Sequence, residues 1–218
     1  MSQFYSEQHR QLQDRHDTRK LADRLEQFIV EQQVSEQHQT FIESRDFFFL
    51  TTVDHRGYPT CSYKGGNPGL VRVIDPQTVS FPSYDGNGMF LSMGNILANN
   101  KVGMLFIDFE TPHRVRIQGE AFIQPEDPLL SECPGADMII RVKITEIFIN
   151  CPRYIHRMQR IESSKYVPQA GADTPAPQWK RIDALQDVLP PSDLGLAQKL
   201  GGTIAPEEYD LLVRNGKG

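Results

Sequence analysis

Between residues 113 and 123 the side chains alternate with a period of two. Val115, Ile117, Gly119, Ala121 and Ile123 fall on one phase, and Arg114, Arg116, Gln118 and Glu120 on the other. That rhythm belongs to a β-strand with one face in a core and one face polar. Neighbouring segments carry related signals. Residues 47–53 are aromatic and β-branched, Asp54-His55-Arg56-Gly57 reads as a turn, and 58–64 forms the returning strand of a hairpin. Residues 70–74 and 79–81 flank a second turn at Asp75-Pro76-Gln77. The run KVGMLFIDF at 101–109 is nearly all apolar, which predicts a central strand buried on both faces. Ile140, Val142 and Ile144 alternate with Arg141, Lys143 and Thr145 until the phase slips near Glu146 and Ile147, predicting a bulge or a strand end. Strands joined by hairpin turns, with a single internal helix, predict a mainly β fold: a small closed barrel of about six strands, not a parallel sheet.

The flanks differ in texture. Residues 1–45 read as a helical arm, with Asp17 as an N-cap and an apolar stripe of Leu21, Leu25, Phe28 and Ile29. A second short helix is expected after Ser35, carrying Phe41 and Ile42 inward. The barrel is assigned to 46–150. Residues 151–218 form an extension that packs on the barrel or on a partner subunit, irregular where Pro168, Pro175, Pro177, Pro190 and Pro191 recur. It closes with a helix from Pro206 through Arg214 to Gly216.

Composition excludes several classes. A net charge of -5 with dispersed Lys and Arg leaves no electrostatic footprint for nucleic acid. No apolar run approaches the roughly 18 residues that a membrane-spanning helix needs, and the first residues are polar, unlike a signal sequence. Three cysteines, Cys61, Cys133 and Cys151, share no metal-type spacing, which predicts a reduced, cytoplasmic setting and no metal site. GxSxG, HExxH, Walker A and GxGxxG patterns are absent.

Three stretches carry candidate chemistry. In YDGNGM at 84–89 a strand passes through glycines into a helix whose inward face would be Phe90, Met93 and Leu97. Backbone N–H groups at such a start form an anion site, to which Asn87 and Ser92 add side-chain hydrogen bonds; the same glycines also suit a plain turn. In TCSYKGG at 60–66, Cys61, Ser62, Tyr63 and Lys64 lead into a glycine pair, presenting hydroxyl, ammonium and bare N–H groups at a barrel edge. The polar edge of an isoalloxazine ring needs such donors, and a nearby cation favours negative charge on it; a solvated strand end fits the residues equally. Finally, Arg114 and Arg116 point off one face of a strand, where their guanidinium forks suit a phosphate or simply a solvated surface.

In this order the stretches resemble the pyridoxamine 5'-phosphate oxidase-like FMN-binding split barrels, in the flavin-nucleotide-binding branch whose substrate is unassigned. Lys64 stands at the end of the family's lysine strand. Val79-Ser80-Phe81-Pro82 and Gly86-Asn87-Gly88 follow, then Val102-Gly103-Met104-Leu105-Phe106 at the "VxLLF" strand, and HRVRIQG at 113–119 matches "RQVRVEG". Pro59 replaces an arginine that the oxidases use on the FMN phosphate, and their Ser-Arg-Lys phosphate loop is absent. Trp179-Lys180-Arg181 only echoes their C-terminal Trp-Arg signature. The resemblance implies a six-stranded split β-barrel with an N-terminal helical arm, FMN as cofactor, and a homodimer with flavin at the subunit interface. It implies flavin contacts from Cys61, Ser62, Tyr63, Lys64, Phe81, Pro82, Asn87, Gly88, Ser92, Asn95, Arg114, Arg116 and Trp179. Oxidoreduction with a small-molecule electron donor or acceptor is the expected activity. A non-catalytic flavin carrier or sensor, or a barrel binding haem or a deazaflavin, are the alternatives.

Overall fold

The computed structural model describes residues 4–218, so residues 1–3 of the expected arm lie outside the described residues. The chain divides into two compact units, 1–162 and 163–218. The first begins with helices α1 (Glu7–Arg15) and α2 (Arg19–Ile29), the short strand β1 (Val30–Glu31) and helix α3 (Glu36–Glu43). Ser6 and Ser35 cap α1 and α3 by accepting the His9 and His38 N–H groups. Asp17 is not the expected cap. It takes a left-handed conformation (φ 53°) in the link between α1 and α2, and α2 starts at Arg19. α3 carries Ile42 into the core as predicted.

Seven further strands follow: β2 (Phe47–Val53), β3 (Pro59–Gly65), β4 (Arg72–Asp75), β5 (Thr78–Tyr84), β6 (Lys101–Asp108), β7 (His113–Gln124) and β8 (Ala136–Ile149). Helix α4 (Leu91–Ala98) separates β5 from β6. Six of these strands have seven residues or more; β4 is the short strand expected before the Asp75-Pro76-Gln77 turn, and β1 is an addition. The antiparallel order is β3-β2-β6-β7-β8-β5-β4, with β1 paired to β8.

The ladder does not close, contrary to the closed barrel read from the sequence, because β3 and β4 are not hydrogen-bonded to each other. Side chains close the structure instead. Phe48 on β2 meets Phe81 on β5 edge to face, with ring centroids 5.0 Å apart, and stacks on Phe106 of β6 at 5.6 Å. These three rings are fully buried and centre a core with Leu50, Met104, Ile117, Ile140 and Val142.

β6 departs from expectation in one respect. Val102, Met104 and Phe106 are buried, whereas Leu105 and Ile107 on the opposite face are only half covered within the single chain. The phase slip in β8 is a bulge: Gln118 pairs with Glu146 and Gly119 with Ile144, leaving Thr145 as the extra residue. Gly119 is dictated by this bulge, since a Cβ there would lie 2.4 Å from the Lys143 carbonyl oxygen.

The second unit is built from short 3₁₀ turns, helix α5 (Leu196–Lys199) and helix α6 (Pro206–Arg214). Its buried Lys180 ammonium pairs with Asp193 at 2.9 Å. α6 ends as the sequence predicts, with Gly216 at φ 68°. Among the described residues no helix is long and apolar enough to cross a membrane.

The bulge supplies a stability prediction. Gly119→Ala should lower the unfolding free energy by about 1–3 kcal/mol, because backbone must give way. Gly103→Ala, whose nearest neighbour would be the Thr51 Cβ at 3.7 Å, should cost far less. Urea denaturation compares the two, and equal losses would contradict the bulge as the reason for the glycine.

Candidate functional site

The gap in the ladder holds a cavity of about 270 Å³. One wall is the end of β3, with Tyr63, Lys64 and Gly65; the other is residues 81–86, the end of β5 and the loop after it; Leu70 and Met93 of α4 close the space. β4 pairs with β5 only as far as Ser80, so the stretch of β5 facing β3 keeps one edge outside the ladder. Both walls therefore bring backbone polar groups to the cavity.

Strand pleat places Lys64 there. It lies opposite Phe48 in the β2–β3 ladder, on the face that turns toward the core. Among the described residues it makes no ion pair, and burial pushes its ammonium below the usual lysine range. Burial likewise raises the Tyr84 phenol, and burial with the nearby Asp85 raises the Asp137 carboxyl. The glycine pair serves packing more than donation. Gly65 lets the Tyr63 ring lie across it, and Gly66 makes room for Leu70. The Gly66 N–H is already used, donating to the Asp46 carbonyl at 2.7 Å.

A polar layer joins α4 to the same strands. Ser92 and Ser62 share a hydrogen bond of 3.2 Å, and the Asn95 amide donates to the Thr52 and Thr60 hydroxyls at 3.0 and 3.2 Å. Met93 faces inward as predicted, alongside Ile96. Phe90 and Leu97 do not: they are 60% and 76% exposed; Phe90 stands before the helix in a left-handed conformation (φ 49°), and the buried face of the helix is Ser92, Met93 and Ile96. Asn87 caps the loop and not the helix, its Oδ1 accepting the Met89 N–H at 3.1 Å, and it lies with Gly88 in an exposed turn.

Of the predicted residues, Tyr63, Lys64, Phe81 and Pro82 meet in the cavity, with Ser62, Ser92 and Asn95 in the adjoining polar layer. Cys61 and Tyr63 leave β3 on the other face of the strand from Lys64, although the Tyr63 ring folds back over Gly65. Arg116 belongs to that outer face too, in the row Tyr63–Phe49–Leu105–Arg116. Arg114, two residues away, donates from Nη2 to the Cys151 carbonyl at 2.9 Å, and its Nε is buried without a partner. Trp179 lies in the second compact unit, half-buried beside Lys180, with the Lys180 Nζ 5.7 Å from its ring centroid. Sequence reasoning missed Leu70, Ser83 and Asp85 as cavity walls. Only Asp85 carried a signal, as a polar residue of the glycine loop. Among the described residues no three His, Cys, Asp or Glu side chains cluster as metal ligands.

The sequence profile described as pyridoxamine 5'-phosphate oxidase matches residues 34–151, more than half of the chain, and the protein belongs to that family. No curated protein matches the sequence. Among solved structures, HupZ of Group A Streptococcus is 19% identical, covering 58% of this chain and 99% of its own, with a TM-score of 0.45. An FMN-binding protein from Syntrophomonas wolfei is 11% identical (64% and 97% covered, TM-score 0.45). HutZ, the heme storage protein of Vibrio cholerae, is 17% identical (53% and 94% covered, TM-score 0.40). At these scores the family assignment rests on the profile.

The desolvated lysine is directly testable. After ¹³C reductive methylation, an NMR pH titration should show one lysine resonance with its midpoint below the others, and that resonance should vanish in Lys64→Met. Lysines that all titrate together would contradict a buried, unpaired ammonium.

Proposed function

We propose that the protein is an FMN-binding flavoprotein and an oxidoreductase, passing electrons between the flavin and a small-molecule donor or acceptor. The observation that carries this reading is the cavity in the sheet gap, where an unpaired, desolvated Lys64 stands between the edges of β3 and β5. A flat ring with carbonyl and imide groups along one edge finds there a cation and backbone donors and acceptors. FMN, when bound, supplies the hydride or electron chemistry. Lys64 would orient the ring and favour negative charge on it, while the Phe81 and Leu70 side chains limit access of water. Hydrogen-bond donors and a lone ammonium suit a flavin edge better than a haem iron, which supports flavin over the haem alternative.

The phosphate end is proposed for the loop at 85–88 and for Arg114 and Arg116. Within one chain Arg116 belongs to the face opposite Lys64, so the proposal includes a homodimer in which the partner subunit brings arginine to the cofactor. Unburied apolar surface favours such a dimer: Leu97 is 76% exposed and Phe28 on α2 is 72% exposed.

Calorimetric titration with FMN and riboflavin tests this reading. FMN should bind more tightly than riboflavin. Arg114→Ala combined with Arg116→Ala should weaken FMN by about ten- to a hundredfold, the worth of one charge-assisted hydrogen bond, and leave riboflavin unchanged. Lys64→Met should weaken both flavins. Equal affinity of the native protein for FMN and riboflavin would overturn the phosphate assignment.

A further inference from the structure

A second cavity, of about 380 Å³, lies in the first unit and shares only Tyr63 with the cavity in the gap. Three rings in near-parallel sequence stand along it. Phe47 stacks on Tyr63 at 5.4 Å with 15° between planes, and on Phe109 at 6.0 Å with 7°. Residues 157–160 run back along the β6–β7 turn and form its far side. There the Met158 N–H donates to the Phe109 carbonyl at 3.0 Å, and Arg157 Nε to the Glu110 carbonyl at 3.1 Å.

The charges around this cavity divide into two sets. Arg45 is neutralised by Asp108 at 3.0 Å, and Arg160 pairs with Asp46. Two lining carboxylates remain outside any ion pair: exposed Glu110, which accepts only the Arg160 backbone N–H at 3.4 Å, and exposed Glu162. The space thus joins an aromatic wall to a rim whose lining residues carry two carboxylates outside any ion pair, with one exposed cation, Arg157, on the same far side. Ring faces attract cations through their quadrupole, and an acidic rim repels anions. The volume lies within the usual range for small-ligand sites, roughly 300–1,000 Å³.

From this combination we propose that the cavity is a binding site for a small organic cation with a flat apolar body, of the arylalkyl-ammonium class. The site is separate from the proposed flavin cavity and does not depend on that assignment. The apolar body packs along Phe47, Tyr63 and Phe109, and the ammonium faces Glu110 and Glu162. Phosphorylated ligands are disfavoured by the same rim.

The test is an NMR titration of the ¹⁵N-labelled full chain with benzyltrimethylammonium, and with phenylacetate as an anion of similar shape. The cation should cause saturable shifts at the Phe109, Glu110 and Arg160 amides, and phenylacetate at equal concentration should cause none. Glu110→Gln combined with Glu162→Gln should weaken binding about three- to tenfold without changing the remaining spectrum. A conservative Tyr63→Leu exchange should weaken it as well, and saturating FMN should leave the cation shifts in place. The proposal is overturned by phenylacetate binding as well as the cation, by shifts confined to other residues or absent, or by a double variant with unchanged affinity. Loss of the cation shifts in the presence of FMN would also overturn it, by making the cavity part of the flavin site.

Discussion

The contact between Phe48 and Phe81 holds together two ends of a sheet that no hydrogen bond connects. β2 and β5 lie far apart in the strand order, yet their rings meet at 5.0 Å in the middle of the core. A barrel closed by its backbone would have paired the edge strands β3 and β4 and filled the space between them with ladder bonds. Closure by side chains leaves the edges open where Lys64 and residues 81–86 face each other. Exposed edges are ordinarily a liability. Here they form the walls of a cavity, with α4 and the Tyr63 ring laid over parts of them.

Two electrostatic consequences follow from that closure. Lys64 lies on the inner face and is half-buried, so its ammonium loses part of its solvation without gaining a carboxylate. An anionic or electron-rich guest would restore what burial takes away. On the opposite face the same strands present Tyr63, Phe47 and Phe109 to a rim of carboxylates, and the preferred guest there carries the opposite charge.

Much of this was legible in the sequence because it rests on local rules. The alternation in β7, the turns at Asp54–Gly57 and Asp75–Gln77, the slip in β8 and the Ser35 cap each depend on residues within a few positions of one another. Pleat alone could have assigned Lys64 and Cys61 to different faces. What the sequence left open depends on distant partners. Gly65 and Gly66 read as bare donors, whereas Tyr63, Leu70 and the Asp46 carbonyl settle their use. Phe90 and Leu97 read as inward with Met93, yet Phe90 lies outside the helix in a left-handed conformation and the buried face centres on Ser92, Met93 and Ile96. The apolar run in β6 read as buried on both faces, yet Leu105 and Ile107 keep partial exposure while Val102, Met104 and Phe106 are buried. Whether the ladder closes is a property of the whole sheet, which no local pattern encodes.

The central claim is that the gap between β3 and β5 is the cofactor cleft. Hydrogen–deuterium exchange of the full chain with and without FMN tests it most directly, since the edges that line the gap carry amides outside the ladder. The account predicts that FMN slows exchange at residues 63–66 and 81–86, with the core of β6 to β8 unchanged. Protection confined to the outer-face cavity around Phe109 and Arg160, or no protection at either edge at a flavin concentration that saturates the protein, would contradict it.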